Sequence, residues 1–306
     1  MTLITMCSSR SRPEIFLRMA KSFVETKEGA NSFLVAYVYE NDPMVESYKK
    51  LDLSGMSCVS IVYGKDRNMV QVLNYISTEL IPDADFYSEV NDDHVFITQG
   101  WDMKMMIAIM DKNNGFSIAY GIKTNMPTAT MCSGSVVVGF GYFFPPEYNH
   151  SWVDNWLVNI GFETNILTYL PDVLIEHWHH SVGKAERDSV CDYAEQDYGY
   201  GKEVFEKWFV EKKDTDCEIV ESLKEKQVKI KNYGDCLMFK KIFGTKNDKS
   251  NMYSTFVDSI GIKLSRVNKD LLLKYRIPIN YGPLHPDWKI PSKQHRYRTM
   301  LEEAGL

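Results

Sequence analysis

Two short segments concentrate side chains that can do chemistry. Asn91-Asp92-Asp93-His94 sets two adjacent carboxylates and an imidazole just past the apolar run that ends at Val90. Such groups repel one another and cost desolvation energy, so a cation that offsets them is expected. Hard divalent ions take carboxylate oxygens, and manganese also accepts imidazole. The second segment, Glu176-His177-Trp178-His179-His180, holds three of the chain's seven histidines. On a strand, His177 and His179 face one way and His180 the other. They could complete coordination begun at Asp93, or contact phosphate directly. Lys184 and Arg187, beyond Gly183, would favour a diphosphate there. The plain alternative for the first segment is an exposed acidic turn with Asp92 as its cap.

A third segment is Trp152-Val153-Asp154-Asn155-Trp156. An acid between tryptophans at i and i+4 would sit beside a semi-apolar wall, where desolvation raises its pKa toward that of a useful base. It also reads as an ordinary first-turn aspartate of a helix. Gly64-Lys65-Asp66-Arg67-Asn68 lacks the glycine spacing of a Walker or Rossmann loop. Lys65, Arg67 and Asn68 could still contact a nucleotide. No Ser-His-Asp ordering stands out and no Gly-x-Ser-x-Gly elbow exists.

Something must bring these segments together. Thr2–Met6, Phe33–Tyr39, Cys58–Tyr63, Phe86–Val90 and Phe116–Gly121 read as strands. Helical spacing falls between them: Ile15, Phe16, Met19, Ala20 and Phe23 behind Pro13, then Pro43 to about Leu51. Met69, Val72, Leu73 and Ile76 follow, and then Gly100 to about Asp111. That alternation argues for an α/β fold with a mainly parallel sheet, whose ligands gather at the carboxyl ends of the strands. Three polar loops fall there: Ser8–Arg12, Glu40–Asp42 and Asn91–His94. Farther on, Ser133–Gly141 reads as a glycine-bounded strand, Trp152–Ile160 as a helix, and Val173–Ile175 as a strand entering the histidine segment. Helices are predicted at Cys191–Tyr198, Glu203–Lys212 and Cys217–Lys231.

The 306 residues, 44% hydrophobic and 25% charged, have an ordinary globular composition. No apolar run approaches the roughly 20 residues that span a bilayer, and the N-terminus has no basic leader followed by a long apolar region, so no membrane partner is expected. Six cysteines lack Cys-x-x-Cys spacing, which leaves thiols in a reducing cytoplasm as the expectation. The net charge of -6 is unevenly spread. Residues 1–223 carry 18 Lys/Arg against 33 Asp/Glu, whereas 224–306 carry 17 against 8. With Tyr233, Tyr253, Tyr275, Tyr281, Trp288 and Tyr297 interleaved, that basic tail could track a nucleic-acid backbone, although a lysine-rich solvated surface would look the same.

In their order along the chain, these pieces resemble the nucleotide-sugar glycosyltransferases of the GT-A fold, nearest the family 2-like group, over about residues 1–210. The resemblance rests on the Ser8–Arg12 loop after the first strand, Glu40-Asn41-Asp42 after the second, and Arg67-Asn68 opening a helix. Asp92-Asp93 with Gly100-Trp101-Asp102, then Asp154, then the histidine segment before Gly183-Lys184, complete it. It implies a GT-A-like, Rossmann-type, mainly parallel sheet flanked by helices. A catalytic domain would cover 1–215, its nucleotide-sugar half about 1–125 and its acceptor half about 126–215. A basic, mostly helical or irregular extension would cover 216–306.

The resemblance also implies roles. Thr5, Ser8, Arg10 and Asp42 would surround the nucleoside of a donor, a UDP-sugar first among them, with Arg67, Asn68, Asn91, Asp92 and Lys184 also on the donor. Asp93 would hold Mn2+ or Mg2+, with His177 or His179 as a further ligand. Asp154 would deprotonate the acceptor hydroxyl, and in-line attack would invert the anomeric centre. Asn91 stands where the usual Asp-x-Asp motif has its first aspartate, and an alternative alignment pairs Asp92 with His94. Enzymes of the resembled type include bacteriophage enzymes that glycosylate hydroxymethylated pyrimidines in DNA. A flipped base of that kind is therefore the first expectation for the acceptor, in a host cytoplasm. A polysaccharide or protein acceptor, or a non-catalytic nucleotide-sugar-binding module, stands beside it.

Overall fold

The computed structural model describes residues 1–111, 116–120 and 129–223. The chain opens with strand β1 (Leu3–Ser8), helix α1 (Pro13–Thr26), strand β2 (Ser32–Tyr39), short helix α2 (Val45–Lys49) and strand β3 (Val59–Gly64). Helix α3 (Met69–Tyr75) runs into a π-helical turn at Ile76–Leu80. Strands β4 (Phe86–Asn91) and β5 (His94–Phe96) flank the acidic turn, and α4 (Trp101–Asp111) follows. Strands β6 (Phe116–Tyr120) and β7 (Ala129–Ser133) lead to α5 (Gly134–Phe140) and α6 (Val153–Glu163). Strand β8 (Leu167–His177) precedes α7 (Ser189–Gln196), α8 (Tyr198–Glu211) and α9 (Lys213–Leu223).

The strands align in the order β3-β2-β1-β4-β7-β6-β8-β5. The first four are mutually parallel, as are β6 and β8. β7 is antiparallel to both neighbours, and β5 is antiparallel to β8. This bears out the mainly parallel α/β sheet expected from the alternation. After β3 the chain returns to the other side of β1 to add β4. The order thus reverses between β1 and β4, which opens a crevice beyond their carboxyl ends.

Local sequence explains the first units. β2 is buried along its whole length, as its unbroken apolar run requires between two helical layers. Pro13 opens α1, and Phe16, Met19, Ala20 and Phe23 turn inward one turn apart. The Phe23 ring meets Phe96 edge-on at 5.5 Å and lies 5.8 Å from Trp101, so α1 fixes β5 and the start of α4 together. Asn68 and Gln71 form a reciprocal capping box at the start of α3.

The segment Ser133–Gly141 is not the expected strand. β7 ends at Ser133, and the chain turns into α5 at Gly134. A Cβ at Gly134 would lie 2.0 Å from the carbonyl oxygen of Ala84, so only glycine passes there. Val136 and Val137 are buried while Val138 is 71% exposed, a helical pattern rather than strand alternation. Gly141, at φ +79°, ends the helix. β8 is longer than the Val173–Ile175 core predicted for it, and α9 begins at Lys213 rather than Cys217. The 215/216 boundary therefore falls inside α9. There Asp216 is buried and accepts from the indole N–H groups of Trp156 (3.3 Å) and Trp208 (2.7 Å), tying α9 to α6 and α8. The basic extension from residue 224 onward lies outside the described residues. No helix among the described residues is long and apolar enough to cross a membrane.

Asp102, fully buried in the first turn of α4, accepts from the backbone N–H groups of Glu28 (3.0 Å) and Gly29 (2.9 Å) and from the Ser32 hydroxyl. It anchors the connection from α1 to β2. Asp102→Ala would strand these donors, each worth about 1–3 kcal/mol when left unsatisfied. A loss of about 3 kcal/mol in urea unfolding is expected, and a change under 1 kcal/mol would contradict the anchoring role.

Candidate active site

The loops after β1 and β4 face one another across the switch crevice, with Ser8 opposite Asn91 in the parallel register. Ser9 donates to Asp92 Oδ2 at 2.8 Å, and its hydroxyl lies 2.6 Å from that of Tyr48. The Tyr48 hydroxyl accepts from the Arg12 backbone N–H (3.0 Å). The Arg12 guanidinium then supplies the cation that the paired acids call for. Its Nη1 lies 3.2 Å from Asp92 Oδ1 and 3.7 Å from Asp93 Oδ2. Its Nε and Nη2 grip the Asp188 carboxylate at 2.6 and 2.5 Å. Asp188 also caps α7 by accepting from the N–H groups of Val190 and Cys191. One half-buried arginine thus joins the β1 loop, the β4 turn and α7.

Antiparallel pairing of β5 with β8 places His94 opposite His177, and the Trp178 N–H donates to the Asp93 carbonyl (2.9 Å). This register carries Asp93 Oδ1 to 3.0 Å from His177 Nε2. His94 is fully buried and stacked 4.6 Å from the His177 ring, with Nδ1 accepting from the Asn91 N–H (2.7 Å). Burial would raise the Asp93 carboxyl, but His177, His94 and Arg12 outweigh it and hold it below the usual carboxylate range. Asp92 is pushed up to about 6 by burial and by the charge of Asp93. Burial, with His177 nearby, lowers His94 to about 3 and His179 to about 4.

These residues fit a hard divalent ion. Asp93 Oδ1 is buried and makes no well-aligned hydrogen bond. It and the His177 nitrogen are close enough to share one cation, and an anionic oxygen with an imidazole suits manganese or magnesium.

The same cleft is lined by Ser8, Arg10, Arg67, Asn68, Asn91 and His179, all sequence candidates. Arg10 lies over the rings of Tyr39 (4.8 Å) and Tyr193 (5.0 Å). Arg67 stacks 4.0 Å from Tyr75 and donates to the Tyr37 hydroxyl (2.5 Å). Four other candidates, Thr5, Asp42, Lys184 and Asp154, are not among the residues that line it. Thr5 is fully buried in β1. Asp42 is buried and accepts from Ser11 N–H (2.9 Å) and Met44 N–H (2.7 Å), so it shapes the β1 loop from behind. Lys184 pairs with Glu176 at 2.5 Å and covers Trp178. His179 groups with His180 and Cys191.

Asp154 lies half-buried in the first turn of α6, and burial pushes it up to about 6, opposed by His177. Its flanking tryptophans face other partners. Trp152 packs on Tyr198 and Phe205, and Trp156 packs in the core against Phe144 and Trp208. Below it, buried Glu89 accepts from the Thr130 hydroxyl (3.2 Å). Burial and the charge of Asp154 push Glu89 up to about 8. Arg12, Asp188, Cys191, His150 and Glu89 belong to this region, yet sequence reasoning singled none of them out as a site residue. Arg12 alone had a usable signal, because it directly precedes the proline that opens α1 at a strand's carboxyl end.

No family model matches the chain, and no curated protein matches it. Solved structures similar to it include TarS 1–349 from S. aureus in complex with UDP-GlcNAc, at 10% identity and TM-score 0.45, over 63% of this chain and 64% of that one. They include the mannosyltransferase PcManGT from Pyrobaculum calidifontis in complex with GDP-Man and Mn2+, at 8% identity and TM-score 0.47, over 89% and 84%. They also include GalNAc-T7 with UDP, GalNAc and Mn2+, at 8% identity and TM-score 0.47, over 57% and 43%. The chain spans less than two thirds of the length of the TarS structures it matches. All these scores lie below 0.5, and the strand order and register given above define the fold by themselves.

Glu89 makes the electrostatics testable. It ionises near 4.5 in an unfolded chain and near 8 in the folded one, so only the native state holds this proton between those values. Its contribution is complete below about pH 4.5 and is lost as pH rises through 8. The unfolding free energy of the wild type minus that of Glu89→Gln should grow as pH falls from 8 to 6.5, by about 1.4 kcal/mol per unit. A pH-independent difference in denaturant titrations would contradict the buried, protonated carboxyl.

Proposed function

We propose that the chain is a divalent-metal-dependent glycosyltransferase that takes its sugar from a nucleoside diphosphate donor, with a UDP-sugar the first candidate. The observation that carries this reading is the Asp93–His177 contact at 3.0 Å, formed where the strand order reverses and flanked by Arg10, Arg12 and Arg67. A nucleotide fits that crevice in open α/β sheets. Arg10 and Arg67, stacked on tyrosines, present planar cations beside aromatic faces, which suits both a base and a diphosphate. Asp93 and His177 would hold Mn2+ or Mg2+, with His179 at the cleft wall. A bound ion there would supply neutralising charge to the departing diphosphate.

The chain's own residues do the rest. Ser8, Asn91 and Asp92 form the floor under the donor, and Arg67 with Asn68 forms its rim. Thr5, Asp42 and Lys184 act indirectly, through the β1 core, the Ser11 turn and Glu176. Asp154 takes the proton of the acceptor hydroxyl as its oxygen bonds to the anomeric carbon and the diphosphate leaves, with inversion at that carbon. A carboxyl pushed up to about 6 is a competent base near neutral pH. The excess of 17 Lys/Arg over 8 Asp/Glu in 224–306, interleaved with tyrosines, supports a DNA acceptor carrying a hydroxymethylated pyrimidine. Residues 1–215 with α9 would form the catalytic unit, and the rest would form the DNA-facing extension. No disulfide joins the described cysteines, which suits a reducing cytoplasm, that of the host if the chain is of phage origin.

With manganese and a panel of nucleotide sugars, the full chain should release nucleoside diphosphate. Asp93→Asn should lower that rate by about 10²–10³-fold, and His177→Ala should raise the manganese requirement. Absence of metal-dependent release from every donor would overturn the transferase reading and leave a binding module.

The acceptor is tested separately. Hydroxymethylated duplex DNA should bind in a salt-sensitive way and gain one hexose or pentose mass per modified base. Asp154→Asn should abolish transfer while leaving donor affinity unchanged. If DNA does not bind at low salt but donor turnover persists, the acceptor is a saccharide or protein.

A further inference from the structure

We propose a second cation site in this chain, in which His179, His180 and Cys191 form a three-ligand Zn2+ site at the cleft wall, apart from the Asp93–His177 pair. One potential ligand atom from each residue lies within 4.8 Å of the others. Tetrahedral zinc, with bonds of about 2.0–2.3 Å, needs its ligands about 3.5 Å apart, a closure that side-chain rotation can supply.

The surroundings of the two imidazoles carry the argument. His179 Nδ1 accepts from the Ser181 N–H (3.3 Å) and lies 2.8 Å from the Ser181 hydroxyl, which leaves Nε2. His180 is engaged the other way round. Its Nε2 faces Glu195 Oε1 at 3.5 Å, while its Nδ1 is buried with no hydrogen-bond partner. Arg187 in turn holds Glu195 at 2.7 Å. Each ring thus has one nitrogen oriented by an outer partner and the other left over. Outer-shell groups set the tautomer of metal-binding histidines in this way. Cys191 and Glu195 are one turn apart on α7, so a single helix face presents the thiol and the carboxylate that orients His180.

The donor set selects the metal. A thiolate with two imidazoles suits zinc, a borderline-soft ion, whereas the oxygen and nitrogen of Asp93 and His177 suit manganese or magnesium. Burial, with the Asp188 carboxylate beside it, pushes the Cys191 thiol up, so the free sulfur keeps its proton and zinc binding would release that proton to solvent. The Arg12 Nη2, 3.2 Å from the sulfur, favours the anion. The fourth position is left to water. The site would clasp α7 to the segment following β8, and it stands whether or not the chain transfers sugars.

The test uses the full chain, stripped of metal with a chelator and titrated with Co2+ alone, then with Zn2+ alone. The thiolate-to-cobalt absorption in the near ultraviolet should correspond to about one equivalent of Co2+, whatever further Co2+ the Asp93–His177 pair takes up, and Zn2+ should displace it. Cys191→Ser should abolish the band. His180→Gln should weaken Zn2+ binding at least about ten-fold, and Glu195→Gln about ten-fold. Asp93→Asn should retain the band. If Cys191→Ser fails to fold by circular dichroism, His180→Gln decides the matter. No thiolate band in the wild type, a band that survives Cys191→Ser, or unchanged affinity in His180→Gln would each overturn the proposal.

Discussion

The Arg12 guanidinium is the contact on which the crevice depends. Two neighbouring carboxylates at a strand end repel each other, and burial makes both more costly to ionise. Arg12 reaches Asp92 and Asp93 with one nitrogen and clamps Asp188 with two others. Removing one partner from a buried ion cluster leaves the rest uncompensated, at a cost of about 3–5 kcal/mol. Tyr48 and Ser9 fix the two ends of this arrangement by accepting from the Arg12 backbone and donating to Asp92. The cluster thus serves position as much as stability. It sets where α7 sits over the sheet edge, and α7 carries the residues that form the far wall of the cleft.

Electrostatic contrast organises the rest of the site. Asp93 is held ionised by His177, His94 and Arg12, while Asp92, Asp154 and Glu89 are all raised by burial. Acids this close together are tolerated because Arg12 offsets Asp92 and Asp93, and because Glu89, pushed up to about 8, keeps its proton at neutral pH. The acid whose burial is most strongly outweighed faces an imidazole across the β5–β8 ribbon. The neighbouring environments thus push the carboxyl groups of one crevice in opposite directions, Asp93 down and Asp92, Asp154 and Glu89 up.

Much of this was legible in the sequence, for physical reasons that differ from place to place. β2 could be read because Phe33 to Tyr39 is an unbroken apolar run, and α1 because its apolar residues recur at helical spacing behind a proline. α5 could not. A run of three valines between glycines fits strand or helix alike, and the deciding contact is with the Ala84 carbonyl, far away in the chain. Asp93 and His177 stood out by residue type and clustering. Arg12 and Asp188 did not, because their meaning lies in a contact across 176 positions, and beyond the proline that follows Arg12 no local mark announces it. Asp42 and Lys184 show the converse. Residue type suggested ligand contact, while their carboxylate and ammonium are already engaged by Ser11, Met44 and Glu176.

The β5–β8 register has one more consequence. The acid of the central pair comes from the first half of the chain and its imidazole from the second, and only the antiparallel ladder of His94–Phe96 with Ile175–His177 makes them neighbours. A fragment cut anywhere between them would keep one donor and lose the other. Two such fragments would restore the Asp93–His177 contact only by re-forming that ladder, so the contact would report on reassociation of β5 with β8.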